Sequence, residues 1–496
     1  MKVKKICGFI FLTLFSVSVN GQIRQPHSLY FMNTIPQVSQ MNPAFQPRAN
    51  GYVMLPNVSI DVISDLTVKD VFQKHGDKWY TPIEKEYDYP TLYKSIGKEV
   101  AMINVGADIG IIGFGFRIGN GYFSFGISEH STINTALPRD LFKITENGFP
   151  DGTSLDFSPL CVQAMSYMQL LIGYSSKVND RLSIGMNMKP LFGQAAVATD
   201  IRKFKLYTGE EQWDLDAEGS IYSSSPSIVT TDAEGKIDKW KVRDVSEEYK
   251  TKDWIHNYGT DLNNLGVAFD FGAVYQIDKR FTVSASLNNL GFISWKQDLN
   301  GTSFNGKYNF KGLEYDTSKD NDDLFKKLGD SIADVMNYKV QHDRFKTALA
   351  PVFHVGATYQ LSKSMSAGLL SRSIFLREGI RQSFNASFNL QPYSFFALNA
   401  NTTYEVKGNV YLGGGFTLFP LLPLQIYVLV DYIPVYYSTL EINGKTLSLK
   451  IFGKERPIPI PERQKSVTVR AGLNIIFGKH GNKNKPMLDN VRSSWN

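Results

Sequence analysis

Residues 383–405 read SFNASFNLQPYSFFALNANTTYE. On each side of Gln391-Pro392-Tyr393 every second residue is apolar: Phe384, Ala386, Phe388 and Leu390 before it, Phe396, Leu398, Ala400 and Tyr404 after it. Between them stand Ser383, Asn385, Ser387 and Asn389, then Asn399, Asn401 and Thr403. Successive side chains of a strand point to opposite faces, so this is a hairpin with one greasy face and one face of amides and hydroxyls. Either a protein core or lipid can lie against the greasy face. The rest of the chain decides between them.

The same period of two recurs over 347–361, 365–376, 409–419, 424–437 and 466–478. It recurs in 265–277 and 281–295, which meet across Asp278-Lys279-Arg280, and in 160–178 and 181–194, which meet across Asn179-Asp180. Nearer the N-terminus it marks 51–62, 100–119 and 122–128. Such dipeptides and tripeptides are tight-turn signals. The alternate connections, 129–159, 195–264 and 296–346, are long and polar. Within the last, 319–339 has Leu324, Leu328, Ile332 and Val335 at helical spacing and predicts a loop helix.

Segment length separates the two readings. A tilted membrane strand needs about 9 to 11 residues, whereas strands of soluble proteins average about 5 or 6. The alternating segments mostly match or exceed the longer class. Clipped turns at one end and long connections at the other are also the asymmetry of membrane barrels. The pattern therefore predicts an all-β protein: an outer-membrane antiparallel β-barrel of about 14 strands with long extracellular loops, wide enough to hold a lumen or a plug. Outer-membrane lipid is its first partner.

Composition agrees. The chain has 496 residues, of which 43% are hydrophobic and 13% aromatic. Its mean hydropathy of −0.20 is that of a soluble protein, as expected where lumen-facing and lipid-facing residues alternate. The first 21 residues have secretory form: basic MKVKK, apolar ICGFIFLTLFSVSV, then Val19-Asn20-Gly21 before a cut. Their loss removes Lys2, Lys4 and Lys5 and lowers the net charge from +6 to +3, which leaves no case for nucleic acid. It also removes Cys7, so Cys161 stands alone and no internal disulfide is available. Beyond it, no apolar run approaches the roughly 20 residues of a spanning helix. The expected organisation is a signal peptide over 1–21, a plug over 22–50, a barrel over 51–478 and a tail over 479–496.

The segment QVSQMNPAFQPRANGYVMLPNVSIDV (37–62) sets Asn42-Pro43-Ala44 ahead of the first strand. Pro43 cannot continue a ladder and Asn42 favours a turn. With this motif near the mature N-terminus, the chain resembles the fatty-acid-transporter-like (FadL-like) barrels of Gram-negative outer membranes. SLNNLGFISW (286–295), a strand running into Leu-Gly and a Trp, is a second shared feature. In pattern and spacing the chain is similar to an uncharacterised family within that group, a domain of unknown function. The resemblance implies that residues 22–50 fold into the barrel as a hatch, and that the barrel is a passive channel or transporter for small hydrophobic molecules. A hatch of that length is short for a lumen this wide. Asn-Pro-Ala also occurs near the start of membrane components of type IX secretion and gliding machinery. The alternative is therefore a structural component that anchors a surface or secretion assembly through 195–264 and 296–346.

Period two places Arg372, Arg381 and Arg470 on the lumen face, where an arginine avoids the roughly 2 to 4 kcal/mol cost of the mid-bilayer lipid face. Gly413-Gly414-Gly415 lies mid-strand and marks a bend in the wall or a sideways opening. His354 shares the polar face of its strand with Thr358. No sequence pattern nominates a nucleophile for it, so it reads as a lumen histidine, and the chain as no enzyme. The acidic tracts near 214–218 and 316–323 miss the spacing of a calcium loop. No metal or cofactor is implied.

Overall fold

The chain is described from a computed structural model. It describes residues 25–75, 78–82, 87–96, 100–225, 228–231, 237–241, 263–310, 341–376, 379–406, 409–421, 423–433, 437–439, 441–442, 445–446, 448–451, 454–457, 459–461 and 465–478. The signal segment expected over 1–21, the tail expected over 479–496 and the helix expected over 319–339 lie outside them.

Fourteen strands form the wall: β1 (Gly51–Ser64), β2 (Val100–Ile118), β3 (Gly121–Pro138), β4 (Cys161–Lys177), β5 (Leu182–Tyr207), β6 (Leu265–Gln276), β7 (Phe281–Trp295), β8 (Val352–Gln360), β9 (Met365–Leu376), β10 (Gly379–Tyr393), β11 (Phe396–Glu405), β12 (Asn409–Leu421), β13 (Leu424–Asp431) and β14 (Ser466–Phe477). Each pairs antiparallel with its neighbour in the sequence. β14 returns to β1, from Gly51 opposite Phe477 to Ile63 opposite Ser466. The sheet is a closed barrel, and closure removes the edges that a membrane would leave unpaired.

The hairpin read first is β10–β11, paired from Ser383 opposite Glu405 to Leu390 opposite Leu398. Ser383, Asn385, Ser387, Asn399, Asn401 and Thr403 are buried inside the ring, and Phe384, Phe388, Leu398 and Tyr404 are exposed outside it. The same phase runs round the wall through Ile60, Phe114, Ile184, Phe271, Val355 and Leu369. In water each such side chain would forgo about 1.5–3 kcal/mol of burial, so an unbroken belt of them is compatible only with a hydrocarbon surround. Among the described residues no helix is long and apolar enough to cross a membrane; the strands do so.

The start of β1, Gly51, lies opposite Phe477 and Phe116 at the end where the short turns are. At the other end the structure departs from the expected loops. β3 runs on to Pro138 and β5 to Tyr207, well into the stretches read as connections. Trp213–Ser224 is a strand paired with the outer half of β5, and Leu299–Phe310 pairs with it in turn. This ribbon covers its own core of Ile144, Leu155, Phe157, Leu206, Trp213, Leu215 and Phe304. Outside the bilayer a strand has no lipid face to enforce apolar alternation, so its period fades while its pairing continues.

Candidate functional site

Residues 25–50 lie inside the ring. Pro26 precedes a single helical turn, His27–Phe31, and Pro36 opens a 3-10 turn, Pro36–Gln40. Both prolines sit where a missing N–H costs nothing. Asn42 then closes a turn on itself, its Oδ1 accepting the Ala44 N–H at 2.9 Å. Its Nδ2 donates to the wall carbonyls of Ala273 (3.3 Å) and Ala285 (3.1 Å). Asn42-Pro43-Ala44 is thus seated on β6 and β7, and β1 begins only at Gly51.

Four wall glycines make the space for this segment. A Cβ on Gly272 would lie 2.0 Å from Asn42 Oδ1, and one on Gly185 2.3 Å from the Pro43 carbonyl. On Gly356 it would meet the Tyr30 ring at 2.5 Å, and on Gly368 the Phe31 ring at 2.2 Å. Close approach of another backbone or ring is one of the two standard reasons for glycine in a strand. Sequence reading missed these positions because nothing local distinguishes them from glycines of curvature. Gly413 and Gly415 likewise make room, for Asn401 and Asp431 and for Leu429. The pairing of β12 with β11 runs without a shift through Gly413-Gly414-Gly415.

Polar bonds tie the segment to the wall all the way round. His27 places Nδ1 3.0 Å from Asp431 Oδ2 and Nε2 3.1 Å from Ser383 Oγ, and its backbone N–H also donates to Asp431. Tyr30 Oη is 2.9 Å from Ser284 Oγ. Gln37 donates to Asn474 Oδ1 at 2.7 Å. Gln25 donates to Asp108 Oδ2 at 2.9 Å. Of the three arginines, Arg372 donates to the Gln25 carbonyl at 2.7 Å. Arg470 donates to Gln25, to Gln40 Oε1 at 3.0 Å and to Asn57 Oδ1 at 3.2 Å. Arg381 instead reaches Asp65 at 3.5 Å, near the long-loop end. Apolar packing completes the fit: Leu29, Tyr30, Phe31, Met32, Ile35 and Met41 bury against Leu370, Tyr427 and Leu429.

Cavities lie beside the segment and beyond it. One of about 80 Å³ adjoins the segment, lined by Gln25, Gln40, Asp108, His130, Lys189 and Arg372 as well as by Met41, Tyr167, Leu171 and Ile374. A larger hollow of about 360 Å³ is lined by Met165, Ala198, Leu349, Pro351, Phe375 and Leu376, with Gln163, Thr199, Lys346 and Thr347. Near the smaller cavity Lys189 Nζ is 2.6 Å from Asp270 Oδ2 and donates to Asn289 Oδ1 at 2.8 Å. Asn289 is the bulge residue of β7, with φ 63°, and its N–H donates to Asp270 Oδ1 at 2.8 Å. The bulge reverses the phase of β7, so Ser286 and Asn288 point inward before it and Ile293 and Trp295 after it.

Ser128, His130 and Asp108 have the order of a catalytic triad, with Ser128 Oγ 2.8 Å from His130 Nε2. Asp108 Oδ1 stands 3.8 Å from His130 Nδ1, outside hydrogen-bond reach, and its other oxygen is held by Gln25. The three side chains line the lumen as satisfied polar groups. His354 bonds Ser286 Oγ at 3.1 Å and faces the Tyr30 ring. Among the described residues no group of three His, Cys, Asp or Glu side chains is placed to hold a metal ion.

A closed antiparallel wall with a lipid-facing belt and a lumen occupied by the chain's own N-terminal segment defines the class, a transmembrane β-barrel of the outer-membrane type. By sequence the chain belongs to a family of unknown function, DUF5723, which matches residues 43–431. No curated protein matches it in sequence. Among solved structures it is similar to the toluene transporter TbuX of Ralstonia pickettii, at 9% identity over 89% of this chain and 93% of that one, with a TM-score of 0.40. It is similar to the toluene transporter TodX of P. putida, at 9% identity over 93% and 97%, with a TM-score of 0.39. A FadL homologue of Pseudomonas aeruginosa gives 10% identity over 92% and 99%, with a TM-score of 0.40. Likeness at this level carries no weight for cargo or mechanism.

Proposed function

We propose that this barrel is a passive outer-membrane channel for small molecules, closed at rest by the segment from Gln25 to Asn50. The observation that carries this reading is how that segment is held. It is buried in the lumen by side-chain hydrogen bonds and apolar packing, and no strand pairing ties it to the wall. Each bond nets only about 0.5–1.5 kcal/mol, so they can be exchanged for water one at a time, unlike the ladder of the wall. The cargo is a small, mainly hydrophobic molecule with a polar end. The hollow of about 360 Å³ offers Met165, Leu349, Pro351 and Phe375 for the apolar part and Lys346 and Thr347 for the other. The path beyond it is polar, since the cavity against the segment presents Asp108, His130, Lys189 and Arg372.

One observation favours a second reading. The ribbon beyond the bilayer has a core of its own, more structure than a bare pore needs, and would suit a barrel that anchors an assembly. Uptake by liposomes separates the two. With the full chain reconstituted, a fluorescent small aromatic alcohol trapped outside should enter faster than into protein-free liposomes, with saturation. Uptake equal to the protein-free rate, both for the full chain and for a variant lacking residues 25–45, would sink the channel and leave the anchor.

A further inference from the structure

Three neighbouring short turns are built alike. In Val178-Asn179-Asp180-Arg181 the N–H groups of Val178 and Asn179 both donate to the Leu182 carbonyl, at 2.8 and 3.3 Å. In Ile277-Asp278-Lys279-Arg280 those of Ile277 and Asp278 both donate to Phe281, at 2.9 and 3.3 Å. In Leu361-Ser362-Lys363-Ser364 those of Leu361 and Ser362 both donate to Met365, at 3.0 and 3.1 Å. The second residue fixes each turn: Asn179 Oδ1 accepts from Arg181 and Leu182, Asp278 Oδ1 from Arg280 and Phe281, and Ser362 Oγ from Ser364. Each turn begins on an exposed lipid-facing residue, Val178, Ile277 or Leu361 at 55, 42 and 48% exposure, and then displays a cation.

The turns join β4–β5, β6–β7 and β8–β9, so they stand side by side at about 10 Å intervals, two strand spacings each. The remaining short connections, Gly119-Asn120, Ser394-Phe395 and the one between the paired Leu421 and Leu424, contain no ionisable residue. The cations of the turns themselves therefore lie on one arc, while Arg48 and Arg117 at the same end are bonded to Gln391, Gln46 and Pro47. Arg181, Lys279 and Arg280 form no ion pair among the described residues. Asp180 and Asp278 offset two of the four turn cations, Arg181, Lys279, Arg280 and Lys363, and leave the arc a net +2. The backbone N–H groups of Arg280 and Phe281 hold the Asp278 carboxyl below the usual range.

We propose that this arc is a binding site for anionic phospholipid headgroups, which fixes one side of the barrel to the membrane surface. The apolar residue of each turn ends the hydrocarbon belt, and the cation two or three residues later lies where headgroup phosphates begin. Cations there attract anionic lipid in proportion to their number. The inference rests on the membrane reading above. Its test distinguishes the two failures, since a chain that does not enter bilayers of any composition refutes that reading alone.

The full chain is reconstituted in nanodiscs of equimolar phosphatidylglycerol and phosphatidylcholine, transferred to mild detergent, and its retained lipid measured by mass spectrometry. Phosphatidylglycerol should be retained at least about tenfold over phosphatidylcholine. The triple variant Arg181→Gln, Lys279→Gln, Arg280→Gln should bring the ratio near unity while the barrel keeps its heat-modifiable migration. If the triple variant fails to fold, each single variant should lower the ratio severalfold. Retention without preference, or preference unchanged in the variants, overturns the proposal. So does release of the lipid by inorganic phosphate at matched ionic strength, which would make this a site for free phosphate.

Discussion

Removing residues 25–45 should turn a closed barrel into an open pore. The wall does not need the segment for its ladder, which closes through β14 and β1. Without the segment, Asn474, Ser383, Ser284 and Asp108 lose its side chains as partners and gain water, an even exchange for polar groups. A ring of this strand number is wider than its own side chains can fill. Solute flux in liposome swelling should rise by on the order of tenfold or more over the full chain. A folded deletion variant with unchanged flux would mean that the lumen is closed by something else. Gly272→Val tests the same point in the full chain. Its Cβ alone would lie 2.0 Å from Asn42 Oδ1, so the turn at Asn42-Pro43-Ala44 must lift, and flux should rise without loss of any residue.

The largest loss of stability is expected from Asp270→Leu. Asp270 is fully buried and Lys189 nearly so, with 2.6 Å between carboxylate and ammonium. Asp270 also accepts from Asn187 at 2.9 Å and from the Asn289 N–H that forms the bulge. Removing one partner of a buried pair leaves the other charge uncompensated, a cost of about 3–5 kcal/mol. Urea unfolding in liposomes should show a loss of that size. The double variant Asp270→Leu, Lys189→Leu should recover much of it, because no isolated charge remains. The exposed pair Arg202–Glu218, at 2.8 Å, offers the contrast: Glu218→Gln should leave the urea midpoint unchanged, because solvent screens both charges.

The wall was legible in the sequence because lipid imposes a single contrast on every spanning strand. Phe384 and Asn385, or Val469 and Arg470, differ so strongly that their faces follow from period two alone, and the strand number followed from counting such segments. Arg372 and His354 were placed on the lumen side by the same phase. What they touch was not legible, since Gln25 and Tyr30 lie more than three hundred residues away and no spacing links them. The glycines at 185, 272, 356 and 368 looked like any strand glycine, because their reason is a neighbour from a distant segment. The outer halves of β3 and β5 were hidden for the opposite cause. Beyond the bilayer nothing demands an apolar face, so residues such as Arg202, Lys203 and Lys205 read as loop while their backbone remains paired.

The central claim is that hydrocarbon wets the outside of this ring and the chain's own polar groups fill the inside. Spin labels placed singly from 383 to 389 and from 397 to 403, in the full chain in liposomes, test it by collision with molecular oxygen. The account predicts maxima at Phe384, Ala386, Phe388, Leu398 and Ala400 and minima at Asn385, Ser387, Asn399 and Asn401. A profile without that alternation, or one with its maxima on the asparagines, would contradict it.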